Sequence, residues 1–128
     1  MNGVIALDFD ETYNTMPDMY DEIINVFQGY GFKVILATYR HPTSDYDPLF
    51  ERLEDQGVPV YCTDGKAKKK YMEDLGIKVD IWIDDNPRSI LEDSAWKHDS
   101  PELHAWREEQ RQKLIDMDLR YEKNLRLA

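Results

Sequence analysis

The sequence predicts an α/β fold in which a central parallel β-sheet is covered by helices on both faces. Three observations predict it: short apolar runs typical of buried strands, amphipathic helical stretches between them, and glycine or proline residues where the segments begin and end. The chain has 128 residues, of which 41% are hydrophobic, so it suits one domain with a folded core. We assign residues 1–128 to a single domain, with a core over about 1–97 and a helical tail over about 100–126.

Four apolar runs are predicted as the strands of the sheet. They cover residues 4–7, 33–38, 58–61 and 79–83. We expect the first strand at the centre, between the second and the fourth, with the third lying beyond the second. Pro59 favours an outer position for the third strand, because proline lacks the N–H that a ladder needs.

Helical stretches separate these runs. Pro17 begins the first helix, which carries its apolar residues on one face and stops near Gly29. The second begins at Asp47-Pro48, and the third covers about residues 66–75. Each of them ends at a glycine, which favours a helix stop.

A long C-terminal helix is predicted after Ser100-Pro101, a pair that suits an N-cap and a first helical position. Its apolar residues recur at spacings of three, four or their sums. They are Leu103, Trp106, Leu114, Met117, Tyr121 and Leu125. We interpret this stripe as a face that packs on the domain and buries Trp106 and Leu114. A homodimer through this helix and a cover over a binding site are the alternatives.

Charge and cysteine content limit the partners and the compartment. The formal net charge of −10 disfavours non-specific binding to nucleic acid over the whole surface. Cys62 is the only cysteine, so an internal disulfide is excluded and a reducing, cytoplasmic location is expected. We expect no signal peptide and no membrane span, because the first residues lack a basic region and the apolar runs are short.

Polar side chains follow three of the predicted strands. The segments are Asp8-Phe9-Asp10-Glu11-Thr12, Thr38-Tyr39-Arg40 and Asp84-Asp85-Asn86. Ligands of open parallel sheets bind at the carboxyl ends of the strands, so we expect these segments to converge. Asp8 and Asp10 are expected to face one cavity, because side chains on an extended segment alternate. With Asp84 and Asp85 nearby, the acids would repel one another unless a cation intervened, and oxygen ligands favour Mg²⁺.

A basic side chain near these acids would complete a site for phosphoryl transfer. Four lysines lie at the start of the third helix, at positions 66, 68, 69 and 70. We choose Lys66 because it lies nearest the strand end, with Lys69 or Lys70 as the alternatives one turn further on. The remaining lysines are interpreted as a solvated helix face.

These segments together resemble the motifs of the haloacid dehalogenase (HAD-like) superfamily, in order and in strand context. Asp8-Phe9-Asp10-Glu11-Thr12 resembles the first motif, Asp-x-Asp-x-Thr, and Thr38 after a buried strand resembles the second. Lys66 resembles the third motif and Asp84-Asp85 the acidic fourth. The likeness covers residues 4 to about 90 and not the tail from about Ser94 onward. It implies a Rossmann-like three-layer sandwich and a small, uncapped phosphatase.

The resemblance also implies roles for the residues. Asp8 would be the nucleophile that forms an aspartyl-phosphate, and Asp10 the general acid and base. Thr38 would hydrogen-bond the phosphoryl group, and Lys66 would stabilise its charge. The metal ligands would be Asp8, Asp84 and the backbone carbonyl of Asp10. Asp85 is an alternative or indirect ligand.

The substrate is the least determined part of this prediction. The intervals between the motifs leave no room for a cap domain, and an open site in this superfamily often goes with macromolecular substrates. We expect a nucleotide or a nucleic-acid terminal phosphate; the alternatives are a protein or small-metabolite phosphatase and a non-catalytic HAD-like binding protein. Arg40 is a candidate for binding a substrate phosphate as a fork. Glu11 stands where the common first motif has glycine, which broadens the substrate list.

Overall fold

A four-stranded parallel sheet forms the centre of the computed structural model, which describes residues 3–94, 105, 108, 109, 111–117 and 119. Its strands are β1 (Val4–Leu7), β2 (Lys33–Thr38), β3 (Val60–Cys62) and β4 (Ile81–Ile83). They lie side by side in the order β3-β2-β1-β4, and every neighbouring pair is parallel. The predicted α/β class and the predicted strand order are confirmed.

Helices connect the strands. Within residues 3–94 the helical elements are a 3₁₀ turn (Tyr13–Thr15), α1 (Pro17–Gly29), α2 (Leu49–Asp55), α3 (Lys68–Asp74) and α4 (Arg88–Leu91). The predicted bounds of α1 are confirmed, with Pro17 at its first position. The 3₁₀ turn and α4 were not predicted, because each has only one turn and so offers too few residues for a periodic pattern.

The two faces of the sheet bury different side chains, because successive residues of a strand point to opposite sides. On one face, Leu36 of β2 belongs to an apolar cluster that includes Ile24 of α1 and Phe50 of α2. On the other face, Ile35 packs in a cluster with Met72 of α3. Helices therefore cover both faces, as a parallel sheet requires and as a Rossmann-like sandwich would have them.

Two strands are shorter than predicted at their N-terminal ends. The third was expected at 58–61, but the N–H of Val58 bonds back to the carbonyl oxygen of Leu53 at the end of α2 (3.0 Å). Pro59 has no N–H and contributes only its carbonyl oxygen, to Leu36 N (2.9 Å), so β3 begins at Val60. β3 is an edge strand, as its proline predicted. The fourth was expected at 79–83 and β4 begins at Ile81.

The chain divides into two compact units, Met1–Ser94 and Ala95–Ala128. In the second unit the described residues are helical, including 111–117. Leu114 is 63% exposed and Met117 is 62% exposed, so the expected burial of Leu114 is wrong. Trp106 lies outside the described residues, and the continuous long helix, the homodimer and the single-domain assignment stay predictions. No helix among the described residues is both long enough and apolar enough to cross a membrane.

Candidate active site

Of the predicted site residues, Asp8 and Asp84 directly follow β1 and β4, and Thr38 is the last residue of β2. The backbone N–H of Asp8 donates to the carbonyl oxygen of Ile83 (2.9 Å), which extends the sheet by one bond and sets Asp8 beside Asp84. All three strands are parallel, so their carboxyl ends lie at the same edge of the sheet. The predicted convergence of the acids after β1 and β4 is confirmed.

Lys68 lies between the two carboxylates. Its Nζ is 2.7 Å from Oδ1 of Asp8 and 2.6 Å from Oδ2 of Asp84. The three side chains are buried, with exposed fractions of 2% for Lys68, 8% for Asp8 and 2% for Asp84. Lysine is rarely buried unless it is paired, and here it is paired twice. Lys68 is therefore the counter-ion of the two buried carboxylates.

The predicted choice of Lys66, with Lys69 or Lys70 as alternatives, is corrected by this geometry. Lys66 is exposed in the loop before α3, where its carbonyl oxygen accepts from Thr63 Oγ1 (2.8 Å). Lys69 is exposed, and Lys70 points away to pair with Asp74 (3.3 Å). Of these four lysines, Lys68, at the first position of α3, is the one that contacts the acids at the strand ends.

A hydrogen bond to Asp93, a residue distant in sequence, fixes the start of α3. Ala67 takes an extended conformation (φ −51°, ψ 122°), and its N–H donates to Oδ1 of Asp93 (2.8 Å). The helix therefore begins at Lys68, and the turn before it carries Lys66 away from the acids. The ring of Tyr39 lies beside the Lys68 ammonium, with its centroid 5.6 Å from Nζ. The Tyr39 hydroxyl donates to the carbonyl oxygen of Glu92. Burial raises the pKa of the Tyr39 hydroxyl to about 12, so it stays a donor.

Asp84 is held on both carboxylate oxygens. Oδ1 accepts from the backbone N–H of Asn86 (2.9 Å), and Oδ2 lies 3.0 Å from the hydroxyl of Ser89 as well as close to Lys68. Burial raises the pKa of Asp84 above its ordinary value, and the charge of Lys68 opposes that rise. Ser89 was not predicted as a site residue, because it belongs to the one-turn helix α4.

Asp8 is the most strongly perturbed acid of the site. Burial and, to a smaller extent, the neighbouring carboxyl of Asp85 raise its pKa, Lys68 lowers it, and the net result is a pKa of about 7. Its Oδ2 lies 3.3 Å from the hydroxyl of Thr12, which is also 3.4 Å from Oδ1 of Asp85. Thr12 thus links the acid after β1 to the acid pair after β4.

Asp8, Asp84 and Asp85 form a group that could hold a cation. Each offers one carboxylate oxygen, and these atoms lie within 4.8 Å of one another. The first two side chains are buried and Asp85 is exposed, so the group opens to solvent on one side. Hard oxygen ligands of this kind suit Mg²⁺ or Ca²⁺ rather than a softer metal.

Asp10 lies apart from this group. Residues 9–12 form turns rather than a continued strand. Side chains alternate only on an extended segment, so the expectation that Asp8 and Asp10 point the same way does not apply here. Glu11 has a φ of +57°, in the left-handed region that favours glycine, which is where the resembled motif has glycine. The side chain of Asp10 is 49% exposed and pairs with Arg40 instead of Lys68.

Thr38 is fully buried at the end of β2. Its Oγ1 accepts from the backbone N–H of Arg40 (3.2 Å). This bond leaves the hydroxyl proton of Thr38 available for a further acceptor.

Comparison of the chain with protein-family models, with curated proteins and with solved structures finds no match in any of the three.

Proposed function

We propose that the chain is a Mg²⁺-dependent phosphomonoester hydrolase of the HAD-like type that works through an aspartyl-phosphate on Asp8. The observation that carries the proposal is the buried Lys68 ammonium between Asp8 and Asp84 at the carboxyl edge of the sheet. A buried acid with a raised pKa and a specific charge partner is typical of a functional site. The motif resemblance supplies the reaction class.

The environment of Asp8 suits a nucleophile. A carboxylate attacks phosphorus only when it is ionised, and burial works against ionisation. Lys68 offsets this with a direct charge-assisted bond, while Thr12 lies within hydrogen-bonding distance of the other oxygen. The same ammonium would stabilise negative charge on the phosphoryl group in the transition state, the role first predicted for Lys66.

The donor set fits Mg²⁺. Asp8, Asp84 and Asp85 would hold the ion with carboxylate oxygens, and the backbone carbonyl of Asp10 is the further ligand that the resemblance implies. Mg²⁺ prefers oxygen ligands and binds through few carboxylates together with substrate phosphate. When bound, the ion would neutralise charge on the phosphoryl oxygens.

The proposed reaction has two steps, and the chain's own groups balance both. An oxygen of Asp8 attacks phosphorus, the ester P–O bond breaks, and Asp10 gives a proton to the leaving oxygen. Water then attacks the phosphorus of the phosphoaspartate and gives a proton to Asp10. The bond between phosphorus and the Asp8 oxygen breaks, so inorganic phosphate is released and Asp8 is restored. The hydroxyl of Thr38, at the end of the neighbouring strand, would donate to a phosphoryl oxygen.

The proposed substrate is a nucleotide or a nucleic-acid terminal phosphate. Between Asp10 and Thr38 the chain forms only the 3₁₀ turn, α1 and the strand β2. Between Lys68 and Asp84 it forms only α3 and β4, so neither interval contains a cap domain. An open site admits the end of a large molecule, while the net charge of −10 disfavours a long polyanion. A protein or small-metabolite phosphatase is the alternative.

A phosphatase screen tests the reaction class. Small phosphate esters, nucleoside monophosphates, 3′- and 5′-phosphorylated oligonucleotides and phosphopeptides would be compared in Mg²⁺ and in chelator. Activity should disappear in chelator and return with Mg²⁺, whereas Ca²⁺ should support little turnover because its looser coordination disturbs in-line geometry. Full activity in chelator would contradict the metal requirement. No activity on any ester would favour a non-catalytic binding protein.

Two substitutions separate the proposed roles of the aspartates. Asp8→Asn should abolish turnover, because an amide does not form an acyl-phosphate. Asp10→Asn should give a small burst of product from an ester with a very good leaving group, followed by slow turnover, because hydrolysis of the intermediate lacks a base. Mass spectrometry of the quenched Asp10→Asn protein should find phosphate on the peptide that contains Asp8. Near wild-type turnover of Asp8→Asn would refute the nucleophile assignment.

A further inference from the structure

Most hydrogen-bond donors of Arg40 are already in use. Its Nε lies 3.0 Å from Oδ2 of Asp10, and its Nη2 lies 2.8 Å from Oδ1. Its Nη1 donates to the backbone carbonyl oxygen of Asp45 (2.9 Å). A guanidinium has five N–H groups and two edges that can bind a carboxylate or phosphate as a fork; Asp10 occupies the Nε/Nη2 edge, and Nη1 of the other edge is bonded to Asp45.

The Arg40 guanidinium also lies over the aromatic ring of Phe9. Its Cζ lies 4.8 Å from the centre of the Phe9 ring, a cation–π distance. Phe9 is fully buried and meets Phe50 of α2 edge-on, with ring centroids 4.8 Å apart. The guanidinium therefore contacts the core as well as its charge partners.

The turn that follows Arg40 is built to present the carbonyl of Asp45. The ring Nδ1 of His41 accepts from the backbone N–H groups of Thr43 (3.2 Å) and Ser44 (3.2 Å). The carboxylate of Asp45 accepts from the backbone N–H of His41 (2.7 Å), which closes the turn. At the other side, Thr38 fixes the backbone N–H of Arg40.

We infer that Arg40 is a positioning residue for Asp10 and not a binding residue for a substrate phosphate. This inference rests on the proposed function, in which Asp10 is the general acid and base. The fork holds both oxygens of a half-exposed carboxylate. The sequence-based role of Arg40 in substrate binding is replaced by this one.

The surroundings of Arg40 disfavour a second phosphate. Asp10, Asp45 and Asp47 surround the guanidinium, with Asp47 Oδ2 4.0 Å from Nη1. An incoming phosphate would have to displace Asp10 and then lie beside these acids, which repel it. Arg40 therefore does not require the substrate to carry a second anionic group, and phosphomonoesters without a second anionic group next to the reacting phosphate belong to the proposed substrate class.

Steady-state kinetics of Arg40→Gln and Arg40→Lys test the inference. Loss of the fork should lower kcat by about 10- to 100-fold, because a catalytic group displaced by about 1 Å costs that much. KM, and the Kd for inorganic phosphate measured by calorimetry, should stay within about twofold of wild type. Arg52→Gln is the matched control: Arg52 also makes a charged pair with an aspartate, Asp21, away from the catalytic acids. It should lower the melting temperature and leave kcat unchanged.

A double-mutant cycle with Asp10→Asn sharpens the test, because a residue that acts only through Asp10 has no further effect once Asp10 is changed. The burst rate and the burst KM of Asp10→Asn should therefore be the same with and without Arg40→Gln. If Arg40→Gln does not fold, Asp45→Ala loosens the same support without touching the fork, and it should lower kcat with KM unchanged.

The outcomes separate this inference from the proposed function. A tenfold or larger rise in KM or in the phosphate Kd, with kcat unchanged, would mean that Arg40 binds substrate and would overturn the inference while the phosphatase proposal stands. Additive effects in the cycle would overturn it in the same way. A wild-type protein that hydrolyses no phosphomonoester overturns the proposed function itself, and the positioning role falls with it.

Discussion

Replacement of Lys68 by methionine tests the charge balance on which the candidate site depends. Methionine has a similar length but no charge, so the change leaves Asp8 and Asp84 buried without their ammonium. Among the described residues, no other lysine or arginine forms an ion pair with either carboxylate. The variant should therefore be destabilised, and the loss should depend on pH.

The size of the effect follows from burial and distance. A pair of charges about 2.7 Å apart attracts by about 6 kcal/mol at an effective dielectric constant of about 20, and the desolvation of the lysine offsets part of that. Removing one partner of a buried pair costs about 3–5 kcal/mol, because the other charge remains uncompensated. We expect that cost at pH 8, where Asp8 of the wild-type protein is ionised and forms a charged pair with Lys68. At pH 5 the carboxyl of Asp8 takes up a proton, so the charged pair lost is chiefly that with Asp84, and the cost should be smaller than at pH 8.

Urea unfolding at pH 5 and pH 8, in chelator, measures the free energies by linear extrapolation. Tryptophan fluorescence reports the transition, because Trp82 lies in β4. Lys66→Met is the matched control, since Lys66 is exposed two positions earlier, and its free energy of unfolding should stay within about 0.5 kcal/mol of wild type. A loss below about 1 kcal/mol for Lys68→Met at pH 8, or an equal loss at both pH values, would refute the reasoning.

Two further predictions concern stability in the absence of metal. The folded-state pKa of Asp8, about 7, is above the ordinary aspartate value of 3.8, so its contribution to stability is present below about pH 4 and is lost as pH rises through about 7. The wild-type free energy of unfolding should decrease over that range, and Asp8→Asn should flatten the decrease; a slope that persists unchanged in Asp8→Asn would contradict the assignment. Glu11→Gly should raise the free energy of unfolding by about 0.5–1 kcal/mol in the same urea assay, because it removes left-handed strain at φ +57°. A destabilised Glu11→Gly would mean that the glutamate side chain makes a compensating contact.

The fold was predictable from local patterns because its strands and helices carry strong ones. Residues 4–7 are apolar without interruption and are buried on both faces, which only an inner parallel strand explains. Pro17 and Gly29 mark both ends of α1, since proline suits a first helical position and glycine a helix end. Where local signals compete, the bounds shifted: Val58 is apolar, but its N–H serves the end of α2 and not the sheet.

The site lysine was not predicted, because distance from the strand end was the wrong criterion. The start of α3 depends on Asp93, a contact across 26 residues that no local pattern reveals. One signal was nevertheless present. Lys68 lies four residues before the apolar Met72, whereas Lys69 and Lys70 lie four residues before the acids Glu73 and Asp74. A lysine that shares a helix face with a core residue is the one to expect inside.

The two aspartates of the first motif end in different surroundings, and that difference fits the division of labour proposed for them. Asp8 is 8% exposed and pairs with an ammonium that also holds Asp84, so water has little access to it. Asp10 is 49% exposed and pairs with a guanidinium at the rim. A nucleophile that must form a covalent phosphoaspartate benefits from a dry position, while a group that passes a proton to a leaving oxygen and takes one from water must reach solvent. Turns over residues 9–12 replace the strand directly after Asp8, so residues only two positions apart meet different cations. If the phosphatase proposal is correct, removing the cation beside Asp8 should be more damaging than removing the cation beside Asp10. Lys68→Gln should abolish turnover even with an ester whose leaving group needs no acid, whereas Arg40→Gln should still release a burst of product from that ester.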